Sequence, residues 1–129
     1  MNSHLLIVED NADFVANLSE ILSDLGHEVR TASSCKAALG QAAGWVQVAL
    51  VDLRLPDGDG TRLAEQLKEL EPDCEVVLLT GHASVKSGIE GMQGGAFDYC
   101  LKPIDVLELL EKVELAAQKA LLNKVGGKG

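Results

Sequence analysis

Glu9-Asp10, Asp52, Thr80 and Lys102-Pro103 each stand directly after a short apolar run, and each brings a group able to handle a phosphoryl transfer. The runs are 4–8, 48–51, 76–79 and 97–101, and a fifth, 27–31, ends without such a group. If these runs are parallel strands, one edge of one sheet carries three carboxylates, a hydroxyl and an ammonium. Open α/β sheets hold their ligands at that edge, outside the carboxyl ends of the strands. In a doubly wound sheet the first and third strands are central neighbours, so Glu9, Asp10 and Asp52 converge. Carboxylates that close repel one another unless a cation stands between them. Magnesium suits an all-oxygen set that leaves room for waters and a phosphate oxygen. No His or Cys lies near these residues in sequence to suggest zinc or copper.

A strand-end Asp is also a possible nucleophile, forming an aspartyl phosphate. Attacking group and phosphoryl group are both anionic, so Mg²⁺ and the Lys102 ammonium would supply the positive charge the transition state needs. The Thr80 hydroxyl would donate to a phosphoryl oxygen. Singly, each residue has a plainer explanation. An acidic pair after a strand often caps a helix, Thr often sits in a turn, and a Lys before Pro is often a solvated loop residue. Their coincidence at four strand ends is what points to chemistry.

The elements that must position these groups alternate from end to end. Asn11 is a good cap for a first helix, with Asp13 in its first turn where the helix dipole favours a negative charge. Phe14, Leu18, Ile21, Leu22 and Leu25 lie on one helical face, and Gly26 ends it. Ser33 or Ser34 caps a second helix running through Ala43, closed by Gly44. The segment Leu55-Pro56-Asp57-Gly58-Asp59-Gly60 reads as a turn-rich loop that no regular element absorbs. A third helix carries Leu63, Leu67 and Leu70 and stops before Pro72. Residues 84–93 read as a fourth helix that Gly88 and Gly91 weaken. Asp105 caps a fifth with Leu107, Leu110 and Val113 on one stripe, and residues 126–129 look like a frayed tail or linker stub. Five β-α units in succession predict a parallel sheet with helices on both faces. The continuous apolar runs fit strands buried on both sides.

Gross properties bound the function. With 129 residues the chain is expected to form one domain. An apolar fraction of 47% with 24% charged residues is ordinary for a globular protein. A net charge of −9 argues against a nucleic-acid surface, which needs clustered Lys and Arg. No apolar stretch approaches the roughly 18 residues that span a bilayer. Met1-Asn2-Ser3-His4 lacks a basic region, so no signal peptide is expected and the cytoplasm is the default compartment. Cys35, Cys74 and Cys100 are odd in number and widely spaced, fit neither a disulfide framework nor a zinc site, and read as small core residues. Trp45 reads as half-buried at a helix–strand junction, and His4 and His27 need no function.

The segments Leu6-Ile7-Val8-Glu9-Asp10-Asn11, Val51-Asp52-Leu53-Arg54-Leu55-Pro56-Asp57-Gly58-Asp59-Gly60, Leu79-Thr80-Gly81-His82 and Tyr99-Cys100-Leu101-Lys102-Pro103 resemble the receiver domains of two-component response regulators. The resemblance covers residues 4 to about 121, with every motif in order. It implies a flavodoxin-like fold, a five-stranded doubly wound parallel sheet of order 2-1-3-4-5 with five helices. A receiver domain would occupy 1–122 and a tail or linker stub 123–129. It further implies that Asp52 accepts a phosphoryl group from the phosphohistidine of a sensor kinase or phosphotransfer protein. Mg²⁺ would be bound by Asp10, Asp52 and the backbone carbonyl of Arg54, with Glu9 helping through water. Thr80 and Lys102 would contact the phosphoryl group, and the Lys102–Pro103 bond would be cis. Tyr99 would report phosphorylation, together with Thr80, to the surface of the fourth helix, fifth strand and fifth helix, through which homodimers could form.

Glu9 stands where many members of the family have Asp, which shifts its reach by one methylene. The stretch from Thr80 to Tyr99 most resembles receivers attached to enhancer-binding regulators or placed in hybrid kinases. Arg54 and His82 either tune the phosphoryl lifetime or are solvated loop residues. On this reading the chain is a phosphoacceptor regulator that catalyses its own phosphotransfer and autodephosphorylation, not an enzyme acting on other substrates. An aspartyl-phosphate-forming hydrolase would commonly place a second Asp two residues after its nucleophile, where Arg54 stands. A receiver-fold binding module that had lost its chemistry would lack Asp52, Lys102 or the acidic pair, and all are present. A stand-alone regulator and a piece of a longer one fit the sequence equally.

Overall fold

A computed structural model describes residues 3–81, 90 and 92–126. Its main sheet is built from β1 (His4–Val8), β2 (Glu28–Ala32), β3 (Val48–Asp52), β6 (Glu75–Gly81) and β7 (Asp98–Lys102). They lie in the order β2-β1-β3-β6-β7, every pairing parallel, which is the expected doubly wound order. Helices α1 (Ala12–Asp24), α2 (Cys35–Ala42), α3 (Gly60–Leu70) and α4 (Val106–Gly126) cover the two faces. The fourth helix expected over 84–93 lies largely outside the described residues, of which Glu90, Met92 and Gln93 are helical.

The strand alternation feeds two cores. Leu6, Val8, Ala49, Val51, Val76 and Leu78 point toward α2 and α3 and pack on Ala38, Ala42, Leu63 and Leu67. Leu5, Ile7, Val48, Leu50, Val77 and Leu79 point the other way and pack on Leu18 and Leu22 of α1 and Leu109, Val113 and Ala116 of α4. A sheet buried on both faces has little freedom to slip, since a one-residue shift would exchange the two sets. The strand ends that carry the polar groups are therefore fixed by apolar packing behind them.

The helix caps follow the sequence. Asn11 accepts from the Phe14 N–H and Ser34 from the Ala37 N–H. Gly26 and Gly44 take the left-handed conformation, φ 97° and 69°, beyond the first two helices. Asp105 accepts from the N–H groups of Leu107 and Glu108 at the start of α4.

Four expectations need correction. The 55–60 segment is not free of regular structure: β4 (Arg54–Leu55) and β5 (Gly58–Asp59) form a small antiparallel ladder, and Gly60 opens α3. Leu25 and Leu70 fall at helix ends and are exposed, because the helix turns each away from the sheet as it terminates. On α4 the sheet-facing stripe is Leu109, Val113, Ala116, Ala117 and Ala120, whereas Leu107 is 78% exposed. Alanines let that helix lie close to the sheet, and a pattern judged by large side chains misses them. Cys35 is half-buried, unlike the buried Cys74 and Cys100.

The helix continues past residue 122, and Asn123 donates to the Asp73 carbonyl and Glu75 carboxylate. Trp45 is half-buried as expected, with the His4 ring stacked at 4.7 Å and the Arg30 guanidinium 4.2 Å from its centroid. Among the described residues no helix is long and apolar enough to cross a membrane.

Candidate functional site

Sheet register assembles the site. Val8 pairs with Val51, so Glu9 emerges beside Asp52. Asp52 pairs with Leu79, one residue before Thr80, and Gly81 pairs with Lys102. Asn11 turns the chain into α1 and donates its own N–H to Glu9 Oε2 at 2.9 Å, which holds the acidic pair at the strand end. One carboxylate oxygen each from Glu9, Asp10 and Asp52 lies within 4.8 Å of the others. Glu9 is 2% exposed and Asp52 9%, while Asp10 faces solvent.

Lys102 reaches into this cluster from β7, and the Lys102–Pro103 bond is cis. Its Nζ pairs with Glu9 Oε1 and lies 3.5 Å from Asp52 Oδ2 and 5.4 Å from the Phe14 ring centroid. Asp52 Oδ1 accepts from the Arg54 N–H at 3.3 Å, and the Arg54 side chain is exposed. Thr80 is fully buried and its hydroxyl donates to the Gly81 carbonyl at 3.0 Å. Tyr99 is half-buried against the α2–α3 core, and the Lys112 amine, which bonds its carbonyl, lies 5.6 Å from its ring. His82 lies outside the described residues.

The charges explain why the arrangement is poised for a cation. Burial raises the Asp52 carboxyl above its ordinary value, and the negative Glu9 beside it adds to the rise. The Arg54 N–H and Lys102 offset only part of this. Burial pushes Glu9 upward too, but the bonds from Lys102 and the Asn11 N–H outweigh it and hold Glu9 below its ordinary value. Burial acts to lower Lys102, and the carboxylates around it raise it instead. One ammonium thus serves two buried carboxylates and satisfies Glu9 better than Asp52. The donor set is oxygen alone, which fits Mg²⁺ and not a metal that prefers nitrogen or sulfur.

Gly60 sets how closely α3 approaches β3. A Cβ there would stand 2.2 Å from the Asp52 carbonyl oxygen, with backbone on both sides of the clash. Gly60→Ala is expected to destabilise the fold by about 3 kcal/mol or more, since the strand must move to admit the methyl. Chemical denaturation measures this, and a midpoint equal to that of the wild type would contradict the packing.

Two contacts had no local signal in the sequence. Pro56-Asp57-Gly58 announces a tight turn, but nothing local says that the Asp57 carboxylate bonds the backbone of Cys35 and Lys36, more than 20 residues away. Likewise the approach of Lys112 to Tyr99 depends on how α4 lies against β7.

The model of the response regulator receiver domain family matches residues 5–114. The chain belongs to this family. RegA of Cereibacter sphaeroides, a photosynthetic apparatus regulatory protein, is 37% identical over 108 residues, which is 81% of this chain and 58% of RegA. The transcriptional regulatory protein ZraR of Escherichia coli K12 is 32% identical over 95% of this chain but only 27% of its own length. The chain therefore spans from about a quarter to just over half of these relatives. A CheY-like receiver domain from Methanospirillum hungatei superposes with a TM-score of 0.86 at 30% identity, covering 93% of this chain and 97% of that one. As a receiver domain the chain is a two-component signalling element and not a classical enzyme.

Proposed function

We propose that this receiver takes a phosphoryl group from the phosphohistidine of a sensor kinase or histidine phosphotransfer protein onto Asp52. The observation that carries the reading is the Asp52 carboxylate at the end of a buried strand, shared with the Lys102 ammonium and flanked by Glu9 and Asp10. An Asp52 carboxylate oxygen attacks phosphorus, the phosphorus–nitrogen bond breaks, and its electron pair stays on the imidazole, which then takes up a proton. Lys102 neutralises charge on the phosphoryl oxygens. Among the described residues it is the cation within 4 Å of Asp52. Asp10, Asp52 and the Arg54 backbone carbonyl would hold Mg²⁺, with Glu9 acting through water. Bound there, the ion supplies electrostatic stabilisation to the transferring group.

The same site is the source of a switch in this reading. Thr80 turns its hydroxyl from the Gly81 carbonyl toward the phosphoryl group, and Tyr99 rotates into the space behind it. The surface of residues 84–93, β7 and α4 changes as a result and alters binding to a partner or to a second copy. Phosphorylation adds roughly −1.5 to −2 charges and three strong acceptors, enough to rearrange local bonding. The compartment consistent with a kinase partner is the cytoplasm. Output belongs to whatever this receiver is joined to or meets.

Incubation with Mg²⁺ and acetyl phosphate, followed by intact mass, tests the acceptor role, and loss of the added phosphate with time tests autodephosphorylation. A companion measurement tests the metal. Mg²⁺ is expected to stabilise the fold by mass action, by about 2.7 kcal/mol at a hundredfold excess over Kd, and so to raise the melting temperature. Asp10→Ala is expected to lose most of that rise and Glu9→Ala less. Equal Mg²⁺ responses in wild type and Asp10→Ala would remove Asp10 as a direct ligand.

A further inference from the structure

Asp57 sits at the tip of the hairpin that leaves the acceptor strand, yet its carboxylate belongs to a contact with another element. Oδ1 accepts from the Cys35 N–H at 2.7 Å and Oδ2 from the Lys36 N–H at 3.1 Å. These are the first two residues of α2, whose N–H groups have no partner within the helix. An anion bonded at a helix N-terminus also meets the positive end of the dipole. The two N–H groups hold the Asp57 carboxyl below its ordinary value. Yet α2 already has its own cap, Ser34 Oγ on the Ala37 N–H at 3.2 Å. The Asp57 contact thus adds to that cap and at the same time ties the hairpin to the helix.

The hairpin is tied to the acceptor in turn. Arg54 pairs with Asp59 and Leu55 with Gly58, so the two strands move as one piece. The Arg54 N–H donates to Asp52 Oδ1 at 3.3 Å, and the Gly60 N–H donates to the Leu53 carbonyl at 2.8 Å. A Cβ at Gly58 would stand 3.1 Å from the Cys35 Sγ, so the hairpin also lies close against α2. A continuous set of contacts runs from the first turn of α2 through Asp57 and Arg54 to Asp52.

We propose that Asp57 is a positioning residue for the phosphoacceptor, pinning the 54–59 hairpin to α2 and so fixing the Arg54 backbone against Asp52. This rests on the reading of Asp52 as acceptor and of the Arg54 carbonyl as a Mg²⁺ ligand. Removing the pin leaves every proposed ligand in place but lets one of them wander. Supporting groups of this kind are typically worth about tenfold or more in metal affinity, and the exposure of Asp57 puts the expectation at about tenfold.

The test compares Asp57→Ala with Ser34→Ala, which removes a cap from the same helix without touching the hairpin. Mg²⁺ affinity is read from NMR amide shifts of residues 52–54, and phosphorylation by acetyl phosphate from intact mass. Asp57→Ala should weaken Mg²⁺ binding about tenfold and slow phosphorylation, and Mg²⁺ should slow hydrogen exchange at the Cys35 and Lys36 amides of the wild type. Ser34→Ala should lower the melting temperature while leaving Mg²⁺ affinity and phosphorylation rate unchanged. Wild-type affinity in Asp57→Ala overturns the proposal, and so does an equal loss in both variants, which would make Asp57 a simple support of α2. Should Asp57→Ala fail to fold, Asp57→Asn, which keeps one acceptor, is expected to lose affinity by a smaller factor, and an unchanged affinity there is the overturning result. A wild type that takes no phosphate onto Asp52 sinks the acceptor reading instead, a result separate from all of these.

Discussion

Asp52→Asn is expected to abolish phosphate uptake completely while leaving the fold intact and, in metal-free buffer, more heat-stable than the wild type. The amide has nearly the volume of the carboxylate and still accepts from the Arg54 N–H, but it is not a nucleophile. The stability gain follows from the environment. Burial and the neighbouring Glu9 raise the Asp52 carboxyl above its ordinary 3.8, so the folded protein carries an ionised group that it holds less well than the unfolded chain does. The sign is fixed by linkage: a carboxyl raised in the folded state burdens the fold as pH rises from the unfolded value through the folded one. The advantage of Asp52→Asn should grow as pH rises from 3.8 through the raised folded value and vanish below 3.8, where Asp52 is protonated in both states. Added Mg²⁺ should narrow the gap by stabilising the wild type. Intact mass after acetyl phosphate treatment and melting curves at several pH values supply both readouts. Undiminished phosphate uptake would remove Asp52 as the acceptor, and a variant less stable than wild type at neutral pH would contradict the electrostatics.

The fold was legible because its signals are local and repeated. Strands buried on both faces write themselves as continuous runs such as Val48-Ala49-Leu50-Val51, and their parallel order follows from helices alternating between them. Asn11 and Ser34 cap the helices their side chains announce. What the sequence hid is what depends on two elements meeting. The buried stripe of α4 runs through alanines, whose burial is decided by how near the helix lies to the sheet. The hairpin after Asp52 needs only two residues on each side, too few to show an alternating pattern.

The site was legible as a set of residue types at strand ends, but its internal pairing was not. The sequence marks Lys102 as a contact of the phosphoryl group, and in the structure its amine lies nearer to Glu9 than to Asp52. That preference comes from the depth of Glu9, which follows from Ala32 accepting its N–H and from the turn into α1, neither visible in the residue itself. Strand order puts Thr80 one residue beyond the Leu79 that pairs with Asp52, yet its hydroxyl bond to the adjacent carbonyl is a backbone matter. Residue identity marks the groups available for the chemistry, and packing decides which partner each has at rest.

Lys102→Met separates the two duties of that amine, and it should have the largest effect of any change at the site that keeps Asp52. Methionine retains much of the stem that lies beside Phe14 but leaves Glu9, 2% exposed, without the cation that pairs with it among the described residues. Removing one partner of a buried pair is strongly destabilising, and because the Lys102 side chain is 31% exposed the expected loss is about 3 kcal/mol, near the low end. In a domain of this size that is a fall of roughly 10 °C in melting temperature. The pH dependence identifies the cause. Glu9 is held below its ordinary 4.5 by the pairing, so its contribution is present above 4.5 and lost as pH falls through the lowered value. Lys102 is held above its ordinary 10.5, so its contribution is present below 10.5 and lost as pH rises through the raised value. The gap between wild type and Lys102→Met should therefore be widest from 4.5 to 10.5 and close at both ends. Phosphorylation by acetyl phosphate should slow by about a hundredfold, the usual effect of removing one preorganised charge from a transition state. Lys102→Arg should recover much of the stability and less of the rate, because a planar guanidinium presents its charge differently from a compact ammonium. A gap that does not vary with pH would assign the destabilisation to packing, and an unchanged rate would take Lys102 out of the transfer.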